Sequence, residues 1–184
     1  MRKFILTVGV LVIIACVKNK ETKKTEETDP QITVVTNHEA SGNYYFEVEM
    51  DVVVEKNDKF HLFYKDFNDS GYSSIRVLEQ MIRGRENSQK VVFSIPEGVI
   101  PIGLRIDVGM NYSQSPIILN SLKIRYDRKE FYFNEEMFIQ LFRPNKFTYY
   151  SKQNKTITTQ PIDGKFDPHY ISINLEEIIF SLLD

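Results

Sequence analysis

The chain contains no tryptophan, a single cysteine and three histidines, and its longest apolar stretch is the 12 residues from Phe4 to Ala15. Each scarcity excludes something. One cysteine, Cys16, cannot form a disulfide within the chain or a cysteine metal site, and no thiol nucleophile is expected. Without tryptophan the largest flat stacking surface is missing, so a broad platform for crystalline polysaccharide is not expected. His38, His61 and His169 stand in no ligand spacing such as His-Glu-x-x-His, so neither a zinc site nor any cofactor is expected. No Gly-x-Ser-x-Gly elbow, phosphate loop or dinucleotide glycine pattern occurs. With 23 basic against 25 acidic residues the chain has no electrostatic footprint for nucleic acid.

What is present begins at the N-terminus. Arg2 and Lys3 precede the apolar stretch, which ends in the small Ala15 before Cys16. Spanning a bilayer takes roughly 20 residues, so the stretch fits a cleaved secretion signal over 1–15 better than a permanent helix. Ile13-Ile14-Ala15-Cys16 resembles the lipobox of bacterial lipoproteins. That resemblance implies a diacylglycerol on the Cys16 thiol, cleavage before it, and an anchor in a bacterial membrane of the cell envelope, the outer rather than the inner. Two or more acyl chains make such an anchor stable, at about 0.8 kcal/mol per buried CH₂. The alternatives are an ordinary signal peptide that ends at a cysteine and an apolar N-terminal helix.

Val17 to Gln31 holds four lysines against four acids with only Val17 apolar, which predicts a disordered tether over 16–39. Its polar run from Val17 to Gln31 reaches on the order of 20 Å as a coil and about 50 Å stretched. From residue 40 to 184 one domain is expected. Phe46, Val48, Met50, Val52 and Val54 share one face of a strand while Glu47, Glu49 and Asp51 share the other. Lys56-Asn57-Asp58 supplies turn residues before Phe60, Leu62 and Tyr64 alternate again, which predicts a hairpin. Further strands are expected around Val91–Ile95, Leu104–Val108 and Ile117–Tyr126, the last with a bulge at Asn120-Ser121. A short helix capped by Asn134 should bury Phe138, Leu141 and Phe142 and stop at Pro144. A second should run from Leu175 to Leu183 behind an Asn174-x-x-Glu177 capping box. Together these predict a mainly β protein, an antiparallel, jelly-roll-like β-sandwich with two short helices near the C-terminus.

Gln89-Lys-Val-Val-Phe-Ser-Ile-Pro96, Leu104-Arg-Ile-Asp107 and Ile118-Leu-Asn-Ser-Leu-Lys-Ile124 resemble the strands of galactose-binding-like, carbohydrate-module sandwiches. The resemblance implies a fold, and by extension glycan binding. Arg105 and Asp107 lie two apart and point the same way, so with Tyr112 in the following loop they are the candidate ligand-binding residues, hydrogen-bonding sugar hydroxyls. The competing reading is a surface ion pair of small energetic worth. Asp66-x-Asn68-x-Ser70-Gly71 matches the first half of a calcium loop, but Val77 stands where the bidentate glutamate belongs, which leaves a polar turn. Glu135-Glu136 and Glu176-Glu177 open helices, where the dipole accounts for them.

Two function classes follow. The first is a tethered, non-catalytic binding or scaffold module whose partner is a glycan or an envelope protein. The second is a small hydrolase acting on envelope polysaccharide, with two acids brought together by the fold. The residue pattern favours the first, because the acids fall on outer strand faces, turns and helix starts.

Overall fold

The structure, a computed structural model, describes residues 33–34 and 45–184. The signal peptide, Cys16 and His38 lie outside the described residues, as does the tether apart from Thr33–Val34. Among the described residues twelve strands form two antiparallel sheets facing one another, a β-sandwich. The first sheet holds β1 (Thr33–Val34), β2 (Phe46–Val54), β5 (Arg85–Ser94), β7 (Ile117–Tyr126), β8 (Lys129–Asn134), β10 (Thr148–Ser151) and β11 (Thr156–Thr159). The second runs in the order β4 (Val77–Ile82), β3 (Asp58–Lys65), β6 (Gly103–Asp107), β12 (His169–Ser172) and β9 (Phe142–Pro144).

The alternation in β2 does what its period requires. Phe46, Val48, Met50, Val52 and Val54 are buried, and β3 answers with Phe60, Leu62 and Tyr64. Each large apolar side chain so buried stabilises the fold by about 1.5–3 kcal/mol. Glu49 departs from the polar outer row, since Lys90 at 2.9 Å and Arg125 at 3.3 Å close over it and leave it buried.

The expected β2–β3 hairpin does not form. β2 pairs with β5 and β7 in one sheet, while β3 pairs with β4 and β6 in the other. Alternation records which face a strand buries and not which neighbour it hydrogen-bonds, so two strands facing across a core have the same pattern as two side by side. The connection Glu55–Asn57 therefore arches between sheets, and Gly84 lies against it with its amide donating to Asn57 Oδ1 at 2.8 Å. Consecutive strands form hairpins at β3–β4, β7–β8 and β10–β11. In the β7–β8 turn Asp127 takes the left-handed conformation that aspartate tolerates.

The bulge is where the residues predict it. Asp51 pairs with Ser121 and Val52 with Leu119, leaving Asn120 unopposed. Asn134 caps α1 (Glu135–Leu141) by accepting from the Met137 amide at 2.9 Å. This helix stops before Phe142 and not at Pro144, because Phe142–Pro144 instead forms an edge strand on β12, where a proline without N–H is tolerated. Leu141 is only partly buried. α2 (Leu175–Leu183) has the predicted range and buries Leu175, Ile179 and Leu182. Its capping box does not close, since Asn174 sits at φ 53°, outside the extended region from which an N-cap side chain reaches back. An aromatic chain fastens α1 to the core, with Phe138 stacked on Phe142 at 4.8 Å and tilted against Tyr170 at 5.0 Å.

A Cβ at Gly84 would lie 2.4 Å from the Glu55 carbonyl oxygen and 2.5 Å from the Lys56 carbonyl carbon, both backbone atoms that cannot swing aside. Gly84→Ala is therefore expected to destabilise the domain by about 1–3 kcal/mol. Gly71→Ala, with nothing near its Cβ, should stay within about 0.5 kcal/mol. Denaturant midpoints of the two variants check this, and equal midpoints would contradict the arch.

Candidate functional site: the outer face of the second sheet

Strand register decides what meets on this face. Asp107 of β6 lies between His61 of β3 and His169 of β12, and Arg105 lies between Phe63 and Ile171. Arg105 grips Asp107 with two hydrogen bonds, Nε to Oδ1 at 2.7 Å and Nη2 to Oδ2 at 2.9 Å. The same Nη2 also donates to Asp167, and the guanidinium lies 5.0 Å from the centre of the Phe63 ring. Planar, bidentate geometry of this kind is what makes arginine hard to replace. Burial works against the Arg105 charge, but the hydrogen bonds and charges of Asp107 and Asp167 outweigh it and hold its pKa above the ordinary value. Asp107 is buried, and that burial lifts its carboxyl above the ordinary value against the pull of Arg105.

The neighbours complete a chain of polar contacts. His169 Nδ1 stands 3.3 Å from Asp167 and 2.9 Å from the Asn145 amide nitrogen, which itself reaches the Asp167 carbonyl. On the other flank His61 meets Glu79 at 3.2 Å, and Lys59 meets the same carboxylate at 2.9 Å. Glu79 is held below its ordinary pKa by the hydrogen bonds of Lys59 and His61. No cluster of three or more metal-ligating side chains occurs among the described residues. In the neighbouring loop Asp66 and Asp69 are bound by Arg76 at 2.8 and 2.9 Å, and Asp66 Oδ1 accepts from the Asn68 amide, so the half-match to a calcium loop is a polar turn closed by arginine.

Tyr112 reaches the face by a different route. It is 62 % exposed and stacks on Phe166 with ring centres 4.6 Å apart. Phe166 precedes Asp167 in the chain, so one loop delivers both the ring beneath Tyr112 and the carboxylate on Arg105. Arg105 and Asp107 thus form one bonded pair, and Tyr112 is linked to it only through Phe166, the chain neighbour of Asp167.

Asp58 holds the Tyr112 loop. It is only 7 % exposed, and its Oδ1 accepts from the amides of Met110 at 2.7 Å, Asn111 at 3.1 Å and Lys59 at 2.8 Å. Its Oδ2 accepts from Gln114 Nε2 at 2.7 Å, and Gln114 also bonds the backbone of Lys56. Gly109, at φ 121°, lets the chain pass so close that a Cβ there would meet Asp58 Oδ2 at 2.7 Å. Asp58 occupies a turn in the sequence, and only its position next to a β-run signals anything more. Phe166, Asp167 and Asn145 carry no signal of their own, because their partners lie far away in the chain.

The chain matches no protein-family profile, no curated protein and no solved structure. Among the described residues no helix is long and apolar enough to cross a membrane.

Removing the Asp58 carboxylate would strand three amides and Gln114. Asp58→Ala is expected to cost about 2–4 kcal/mol, the penalty of leaving several buried donors unmet. It should also speed hydrogen exchange at Met110 and Asn111 selectively. Uniform acceleration across the domain, or none at these amides, would show that Asp58 does not anchor the loop.

Proposed function

We propose that this chain is a membrane-anchored lipoprotein of a bacterial cell envelope, lipid-linked through Cys16, whose sandwich binds a glycan on the outer face of its second sheet without turning it over. The observation that carries the ligand half is the exposed Tyr112 ring stacked on Phe166, whose chain neighbour Asp167 joins the Arg105–Asp107 pair. A sugar ring has an apolar face of C–H groups and an equatorial belt of hydroxyls. The first stacks on an aromatic surface, and the second requires fixed polar groups at its rim. A pre-stacked tyrosine loses little conformational freedom on binding. The guanidinium fits the rim role, because its Nη1 donates no hydrogen bond among the described residues while Nε and Nη2 are committed.

On this face the non-catalytic reading is supported by how the acids are used. Asp107 and Asp167 are tied to Arg105, and Glu79 is tied to Lys59 and His61. A glycosidase needs one carboxyl free to donate a proton and another free to attack or to activate water. The address half rests on the Arg2-Lys3, Phe4–Ala15, Cys16 order.

Radiolabelled lipid should enter the expressed chain and be absent from Cys16→Ala. Equal labelling of both would overturn the anchor.

On a glycan array the purified chain should retain a defined set of saccharides, and Tyr112→Ala should weaken that retention at least about tenfold with an unchanged unfolding midpoint. Failure to retain any glycan, together with capture of one envelope protein at the same face, would replace the glycan with a protein partner. Release of sugar from a tested polysaccharide, abolished at a single Asp or Glu, would replace binding with hydrolysis.

A further inference from the structure

The first sheet contains a fork. β8 pairs with β7 as far as Asn134 against Ser121, and β11 takes up the same edge of β7 only from Thr156 against Ile118. Leu119 and Asn120 lie between the two partners, and the gap opens where the bulge turns Asn120 outward. Bulges of this kind re-aim side chains and end pairing. The Asn120 amide group is fixed there, its Nδ2 donating to Asp51 Oδ1 at 2.9 Å and to Ser88 Oγ at 3.1 Å, while Ser88 bonds the same Asp51 oxygen. Burial alone would raise the Asp51 pKa, but the bonds from Asn120 and Ser88 and the Lys90 charge lower it, so the carboxylate stays ionised and holds Asn120 in place.

The gap is an open groove of ≈ 380 Å³ lined by Ile118, Asn120, Asn134, Glu135, Glu136 and Lys155. A second of ≈ 220 Å³ shares Glu135 and Glu136 and extends past Ile139, Gln140, Tyr150 and Lys152. The first lies within the usual size range of small-ligand sites and the second adjoins it. Lys155, in the left-handed conformation at φ 55°, bonds Glu135 at 2.7 Å across the mouth. Glu136 has no ion-pair partner among the described residues. The helix terminus does not form the site, since Asn134 already takes the Met137 amide. The groups that face the cleft are side chains.

We propose that this forked cleft is a second binding site, for an uncharged saccharide of about two rings. Its two carboxylates and two ammonium groups cancel, which argues against phosphate, nucleotide or polyamine ligands. Its lining carries both donors and acceptors, namely amides, carboxylates, ammonium groups and the Tyr150 phenol. Hydroxyls that both donate and accept can meet such a set, and Ile118, Ile139 and the Tyr150 ring supply apolar surface for the C–H face. The ligand class rests on the same reading as the proposed function, but none of the residues is shared.

The test uses the full chain carrying Tyr112→Ala, which removes the other surface, with cellobiose, maltose and N,N′-diacetylchitobiose as probes. Binding of at least one of them, followed by side-chain amide shifts of Asn120, Asn134 and Gln140 in NMR titrations, is expected. Adding Glu136→Gln, an exposed position, should weaken it about tenfold, and Lys155→Ala should do so independently, with both variants keeping the parent unfolding midpoint. If Tyr112→Ala alone abolishes all saccharide binding, the cleft proposal is overturned and the face reading stands. If the chain with Tyr112→Ala binds but the Asn120 and Asn134 amides do not shift, the cleft is likewise not the site. Tighter binding of glucose 1-phosphate than of any neutral probe would overturn the ligand class.

Discussion

The carboxylate of Asp58 is the contact on which one end of the sandwich depends. It belongs to the first residue of β3, at the point where the chain has just arched from one sheet to the other, and it gathers amides from the loop that follows β6. A buried carboxylate is tolerable only if hydrogen bonds replace its water, and this one accepts four from protein. Gln114 then ties the Asp58 carboxylate to the Lys56 backbone, and Asn111 bonds Asn57. The arch, the Gly84 crossing and the Tyr112 loop are thus one hydrogen-bonded unit. The position of Tyr112 is a consequence of a carboxylate buried beneath its loop.

The Arg105 network plays the corresponding part at mid-sheet. An exposed ion pair is worth about 0–1 kcal/mol and holds little in place. Arg105 is fixed in more ways, by two bonds to Asp107, by Asp167 from a distant loop and by the face of Phe63. The sequence leaves open whether Arg105 and Asp107 are a surface ion pair or a recognition group, and the geometry shows a pair more firmly held than an exposed one. Asp107 spends its capacity on Arg105, whereas Arg105, with five N–H donors, has some left over.

How much could be read from the residues depended on the range of the information. The buried face of β2, the bulge at Asn120 and the extent of α2 are set within a dozen residues by alternation, polarity and helical period, and each is found where those signals put it. Partner choice is not local, which is why the arch between β2 and β3 reads as a hairpin. β9 to β12 have three or four residues each, too few for a period to show, and β8 is hidden between a turn and a helix start. At the candidate face Arg105, Asp107 and Tyr112 can be named from spacing and loop position. Asp167 lies 62 residues from Arg105 and Gln114 lies 56 from Asp58, so only the fold discloses them.

The Tyr112 face and the forked cleft both arise where strand pairing stops. β6 ends at Asp107, and the loops that follow β6 and precede β12 meet where Tyr112 stacks on Phe166. On the other sheet, β8 and β11 share one edge of β7 without touching the middle of it. An uninterrupted ladder uses its backbone groups on itself and offers only a flat row of side chains, whereas a break frees space and turns side chains such as Asn120 into it. The chain crosses between sheets at most of its connections, and the middle of one β7 edge is left without a partner. The same topology that buries the mixed aliphatic and aromatic core leaves both the Tyr112 loop contact and the groove beside β7 at its margins. The groups that line them are held by Asp58 in one case and Asp51 in the other, carboxylates whose partners are drawn from strands and loops far apart in sequence.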